Sequence, residues 1–176
     1  MRAVVCSEYG PPELLSLTDL PDPTAGPGQA VVDVAYAAVN YPDVLIIDNR
    51  YQISVPLPFV PGSEFSGIVE GIGSTVTDFA VGDSVFGVSA FSYGAHAEYL
   101  CIAAAAAVAT MPADLAFDVA AASTDGAILA TTYLRRVDLQ PSQRILIYGA
   151  SGAIGTASVQ LAKHFGATVT AVTSAA

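Results

Sequence analysis

Positive charge is scarce in this 176-residue chain: six Lys and Arg stand against sixteen Asp and Glu, for a net charge of −10. A chain this acidic, with pI near 4.2, repels phosphate backbones and is not a basic nucleic-acid binder. Charge of either sign is sparse at 12%, about half the roughly 25% of an average soluble domain. Hydrophobic residues make up 53% and mean hydropathy is +0.54, which excludes intrinsic disorder. Long apolar runs are also missing. The best, residues 100–109, is short and mostly alanine, whereas a spanning helix needs about 18 or more apolar residues. After Arg2 only residues 3–6 are apolar before Ser7, Glu8 and Tyr9, which is too little for a secretory signal. The chain therefore reads as soluble and cytoplasmic, with no membrane partner. Cys6 and Cys101 have neither metal-type spacing nor a disulfide framework, and buried reduced thiols are expected.

What is present is organised in two styles. The first part reads as short strands between Gly/Pro turns: residues 2–6, 13–20, 29–40, 64–70, 83–88 and 95–102. Pro42 suits position N1 of a short helix over 43–47. Many short strands with such turns indicate a barrel or sandwich. After about residue 115 the pattern changes. A short helix over 117–122 is expected, then a second over 126–136 capped by Ser123 or Thr124, with Arg135 and Arg136 at its negative end. Residues 144–148 form a near-continuous apolar run that fits a strand buried on both faces. A glycine turn, a helix over 153–165 ended by Gly166, and a strand over 167–172 complete one βαβ unit.

The turn Gly149-Ala150-Ser151-Gly152-Ala153-Ile154-Gly155 is the strongest chemical signal. It follows a strand and opens a helix, the context of a dinucleotide fingerprint, though its spacing is G-x-x-G-x-x-G. Gly149 permits the tight strand exit, Gly152 lets backbone approach a pyrophosphate, and Gly155 lets helix and strand pack closely. The helix's first N–H groups, with Ala153 and Ile154, form an anion site to which Ser151 adds a hydroxyl. At the end of the next strand an NAD site places an acid, but here Thr173 and Ser174 stand instead. Small hydroxyls leave room for a 2′-phosphate, so NADP (NADPH) is the expected cofactor.

Several segments together resemble the N-terminal part of a zinc-free medium-chain dehydrogenase/reductase of the quinone oxidoreductase type. They are Met1-Arg2-Ala3-Val4-Val5 with Gly10-Pro11-Pro12-Glu13, Val39-Asn40-Tyr41-Pro42-Asp43, and Pro58-Phe59-Val60-Pro61-Gly62-Ser63-Glu64-Phe65-Ser66-Gly67. Gly82-Asp83 with Val85-Phe86-Gly87, Gly94-Ala95-His96-Ala97-Glu98-Tyr99 and the glycine turn extend the match. The resemblance implies an α/β protein: a GroES-like β-barrel domain over 1–124, then the first βαβ unit of an incomplete NADP-binding Rossmann domain over 125–176. The active site of such proteins lies in the cleft between the two domains.

The resemblance also implies hydride transfer from NADPH to a quinone or conjugated carbonyl (an enone). Zinc-dependent relatives carry Cys where this chain has Asn40, and Gly-His-Glu where it has Gly62-Ser63-Glu64, so no metal is expected. Asn40 is implied as an orienting amide, Asp43 as support for the cleft, and Tyr51 as a hydrogen-bond donor. Each has an alternative: cap and turn roles for Asn40 and Asp43, a loop aromatic for Tyr51. Glu64 is expected to anchor a turn or barrel contact, His96 to be structural and His164 to face solvent. A nicotinamide-contacting Thr is implied near 126–136, but Ile128 or Leu129 stands closest there, with Thr131 and Thr132 displaced. The chain is expected to be the N-terminal part of a homodimeric protein, and alone to bind NADPH weakly or not at all, without turnover. Its apolar composition then reflects surface that the rest of the protein covers. Two other readings are an enoyl-thioester or other reductase of the same superfamily, and a non-catalytic GroES-like binding module with a vestigial nucleotide motif.

Overall fold

The computed structural model describes residues 1–89 and 92–174. The chain divides into two compact units, Met1–Ala122 and Ser123–Ala176.

The first unit is built on an antiparallel sheet curled as a half-barrel. Its strands are β3 (Gln29–Ala37), β4 (Glu64–Ile72), β5 (Ser84–Val88), β6 (Tyr99–Ala103) and β7 (Ala107–Thr110), in the order β6-β3-β4-β5-β7. Alternation along β4 puts Phe65 and Val69 inside and Ile68 and Glu70 outside. A register shift at Val31/Val32 breaks that alternation in β3, so Ala30, Val31 and Val32 are all buried. Phe65, Val69 and Val85 pack with Val32, Leu100 and Ile102 in one core cluster. Each large side chain so buried is worth roughly 1.5–3 kcal/mol.

A second, two-stranded sheet pairs β1 (Arg2–Val5) with β2 (Ser16–Asp19). Isolated bridges Ala3↔Ala97 and Cys6↔Phe59 continue the pairing beyond it. Between β3 and β4 lies a short helix, α1 (Tyr41–Ile47).

Several boundaries differ from expectation. The segment 13–20 begins as a 3-10 helix, Pro12–Leu14, because Pro11 and Pro12 set the backbone for a tight turn. Strand β3 stops at Ala37 because Asn40 already caps α1, and Pro42 falls at N2 rather than N1. Strand β7 was not expected from its alanine-rich sequence; its pairing with β5 supplies the ladder that alanine propensity does not. Residues 95–98 run beside β1 through single contacts, and regular pairing begins only at Tyr99.

The expected pair of helices after residue 115 is one continuous helix, α2 (Phe117–Arg136). Ser123 and Thr124 are interior to it rather than at its start. Gly126 does not break it: a Cβ there would meet the Ala153 carbonyl at 3.0 Å, so this glycine serves a close approach.

In the second unit β8 (Arg144–Tyr148) and β9 (Thr168–Val172) are parallel and joined by α3 (Ala153–His164). Leu134 of α2 and Ala162 of α3 pack on Ile147 and Ala150. The run in β8 is covered on one face only: Ile147 is 8% exposed, whereas Leu146 and Tyr148 on the opposite face are 64% and 85% exposed. The helices sit on the Ile145/Ile147 side, and the opposite face carries the exposed apolar surface that the sequence led us to expect. Cys6 is buried and Cys101 half-buried, both free thiols. Among the described residues no helix is long and apolar enough to cross a membrane.

Candidate functional site

The sequence Asn40-Tyr41-Pro42-Asp43 folds as a capping box. Asn40 is extended (φ −114°), and its Oδ1 accepts from the Tyr41 N–H at 2.8 Å. Asp43 Oδ2 reaches back to accept from the Asn40 N–H at 2.8 Å. Pro42 occupies a position whose N–H would have no partner within the helix. The other end of the Asn40 amide is fixed from β4: its Nδ2 donates to Glu64 Oε2 at 3.1 Å. Asn40 thus ties two buried carboxylates together, Asp43 at 4% and Glu64 at 3% exposure. Glu64 makes the anchoring contact expected of it. Asp43 Oδ1 is buried with no hydrogen-bond partner, a costly state that marks an unusual environment.

Tyr51 is half-buried in the loop after α1. A residue the sequence did not single out, Tyr93, is buried in the first unit. That side chain is 6% exposed and its backbone is left-handed, at φ +50°. Its ring lies against Phe59, with centroids 6.3 Å apart. Burial first, then the charges of Tyr51 and Asp43, push the Tyr93 phenol above its ordinary range. No local pattern around Tyr93 announces its burial against Phe59, 34 residues earlier in the chain.

His96 is structural in its geometry. Its Nε2 lies 3.1 Å from the Ala38 carbonyl, which only accepts, so Nε2 carries the proton. Its ring lies over Gly62, whose φ is +89° and whose added Cβ would meet His96 N at 2.8 Å. His164 is exposed at the end of α3. Among the described residues no three of His, Cys, Asp and Glu converge as a metal group. A cavity of about 360 Å³, lined by Asp83, Ser84, Thr110, Met111 and Phe117, holds none of the expected site residues.

In the second unit the glycine turn has the geometry its residues call for. Gly149 adopts φ +74° at the exit from β8. Gly155 is buried against the turn, and a Cβ on it would lie 2.7 Å from Ala150 Cα. Gly152 is the N-cap of α3 and offers no side-chain acceptor to the first N–H groups. Ser151, Ala153 and Ile154 are exposed around that terminus. The Ala150 N–H donates to the Val172 carbonyl at 3.0 Å, which sets the end of β9 beside the turn. The exposed Thr173 and Ser174 follow directly. Residues 149–155 and 173–174 are therefore brought together, with α3's positive end and no acid among them.

The half-barrel sheet with its capped helix is the architecture of a known family. The alcohol dehydrogenase GroES-like domain model matches residues 26–113, and the chain belongs to that family. Within it the similarity is to quinone oxidoreductases of the medium-chain dehydrogenase/reductase group. A quinone oxidoreductase-like protein 2 homolog from Nematostella vectensis is 38% identical over 172 residues, 96% of this chain and 46% of that protein. The quinone oxidoreductase of Thermus thermophilus, whose structure was determined alone and in complex with NADPH, superposes with TM-score 0.85 at 31% identity. The match covers 99% of this chain and 54% of that one. The mycoketide-CoA synthase of Mycobacterium tuberculosis is 36% identical over 167 residues, 92% of this chain and 4% of that protein. The chain spans about half the length of the quinone oxidoreductases it matches.

Proposed function

We propose that this chain is the N-terminal part of an NADPH-dependent reductase that delivers hydride to a quinone or conjugated carbonyl without zinc. The observation that carries the reading is the acid-free end of β9 beside the glycine turn and the bare N-terminus of α3. A pyrophosphate fits the open N–H groups at Gly152, Ala153, Ile154 and Gly155, with Ser151 as an added donor. Thr173 and Ser174 accommodate a ribose 2′-phosphate that an acid there would repel. NADPH, when bound, supplies the hydride.

On the substrate side, Asn40 holds its amide in one orientation between Glu64 and the α1 cap. Asp43 keeps that cap closed, and Tyr51 donates to a carbonyl oxygen whose charge grows during reduction. The complete protein is proposed to be cytoplasmic and homodimeric.

The test uses the complete protein with menadione and either nicotinamide cofactor. Oxidation of NADPH in clear preference to NADH is expected, and NADH preference or no menadione reduction refutes the reading. The isolated 176-residue chain is expected to show weak or no NADPH binding and no turnover. The similarity to mycoketide-CoA synthase favours one second reading, an enoyl-thioester reductase. Faster reduction of crotonyl-CoA than of menadione selects it.

A further inference from the structure

The direction of the Asn40 amide depends on how the chain reaches Asn40. Strand β3 ends at Ala37, and a two-residue connector, Ala38-Val39, leads to the helix cap. Val39 is 77% exposed, so side-chain packing does little to fix the connector. The backbone of Ala38 does so instead. Its N–H donates to the Glu64 carbonyl at 3.2 Å, and its carbonyl accepts from His96 Nε2 at 3.1 Å. Glu64 is also the residue whose Oε2 accepts from the Asn40 amide. Two residues therefore hold the corner before Asn40, one from β4 and one from the segment leading into β6.

His96 is itself anchored through both of its backbone polar groups. Its N–H donates to the Pro61 carbonyl at 3.0 Å, and its carbonyl accepts from the Val4 N–H at 2.9 Å. Just before it, the Gly94 N–H donates to the Val60 carbonyl at 3.0 Å, and the Ala95 N–H to the Gly62 carbonyl at 3.1 Å. Gly62 in turn leaves the space that the ring occupies, since an added Cβ would lie 2.8 Å from His96 Cγ. The imidazole is thus set on a fixed frame and delivers Nε2 to a carbonyl 58 residues away in sequence. Packing over Gly62 needs only a flat ring, which phenylalanine also supplies. The Ala38 carbonyl needs something phenylalanine lacks, a donor at the position of Nε2.

We propose that His96 is a positioning residue of the substrate site: its Nε2–H bond to the Ala38 carbonyl fixes the corner before Asn40, and with it the direction in which the Asn40 amide is presented. The proposal rests on the reductase reading for what that amide meets, but not for the coupling of His96 to Asn40. His96 acts through Asn40 and transfers no proton. Small displacements of an orienting group are costly in catalysis, so a bond made one connector away from it matters to rate.

Menadione reduction by NADPH is measured for wild type, H96F, H96N, H96Q, N40S and H96F/N40S in the complete protein. H96F keeps a ring over Gly62 and removes the donor. H96N keeps an amide but stops short of Ala38, and H96Q returns an N–H donor at the position of Nε2. H96F and H96N are each expected to lose roughly three- to tenfold in kcat/KM for menadione, the worth of one hydrogen bond, with KM for NADPH unchanged. H96Q is expected to recover most of that loss. In the N40S background, where no amide is left to aim, H96F is expected to add nothing. Multiplied losses in the double variant, full rates in H96F and H96N, or an H96Q enzyme as slow as both overturn the proposal.

A second readout does not need turnover. In spectra of the complete protein carrying ¹⁵N in its asparagine side chains, the amide pair absent from N40S belongs to Asn40. H96F and H96N are expected to shift that pair, and H96Q to return it toward its wild-type position. A pair that ignores H96F and H96N overturns the coupling. If wild type reduces no menadione but the pair responds, the reductase reading fails and the coupling stands.

Discussion

Gly155→Ala separates packing from ligand binding at the glycine turn. The added methyl would lie 2.7 Å from Ala150 Cα and 2.9 Å from Ala150 C, and closer still to the Gly149 carbonyl. All three are backbone, so no side chain can swing aside. Overpacking of this kind costs about 1–3 kcal/mol. Against it stands the gain from replacing glycine inside a helix, about 0.8–1.0 kcal/mol. The clash falls on backbone pinned by the Ala150–Val172 hydrogen bond, so the upper part of the range applies. The net expectation is a loss of about 1–2 kcal/mol, read from the urea midpoint of the 176-residue chain.

Gly152→Ala is the control. Its added methyl meets nothing nearer than the Gly149 carbonyl at 3.6 Å, and its φ of −77° suits alanine. Gly152 is an N-cap, where alanine is a poor choice, so a stability change of about 1 kcal/mol or less is expected. NADPH binding by the complete protein should nevertheless weaken, because the methyl stands where a pyrophosphate would approach. A Gly155→Ala chain as stable as wild type would refute the packing argument. A Gly152→Ala protein with unchanged NADPH affinity would refute the phosphate assignment.

Asn40→Ala removes an N-cap and the donor to Glu64 together, so a loss of about 2 kcal/mol or more in chemical denaturation is expected; Asn40→Ser, which keeps the cap, should recover roughly half. Gly62→Ala is expected to destabilise the first unit, since φ +89° and His96 both exclude a Cβ; near-UV dichroism and urea unfolding read it. Burial pushes the Cys6 and Cys101 thiols up, so both should react slowly with a disulfide reagent in the native chain and rapidly in urea. Their raised values favour the fold at neutral pH, and that contribution should fade as pH rises past the ordinary thiol value of 9.0. Glu98 shifts the opposite way, held down by hydrogen bonds from Arg2, so Glu98→Gln should remove a small stabilisation present at neutral pH and lost in acid.

The sequence by itself determined the pieces whose causes are local. The apolar run of β8, the glycine turn, α3 and β9 could be read because strand run, turn chemistry and helix length lie within about thirty consecutive residues. The box at Asn40 and Asp43 lies within four residues, and its composition points to a helix start. Local signals misled where a residue's reason lay elsewhere. Gly126 reads as the start of a second helix, but it lies inside α2 and admits the Ala153 carbonyl. The alanines of β7 looked neutral but pair with β5.

Only the tertiary structure decided which face of β8 is covered, since alternation does not say where helices will pack. Only it brought Glu64 to Asn40, and His96 over Gly62 and against the Ala38 carbonyl. Those partners come from segments 24 to 58 residues apart in the bonded cases, and no local pattern encodes such a separation. The orphan Asp43 oxygen exists for the same reason. A carboxylate in a capping box is ordinary in sequence, and it becomes a buried, unmet acceptor only when the surrounding segments close over it.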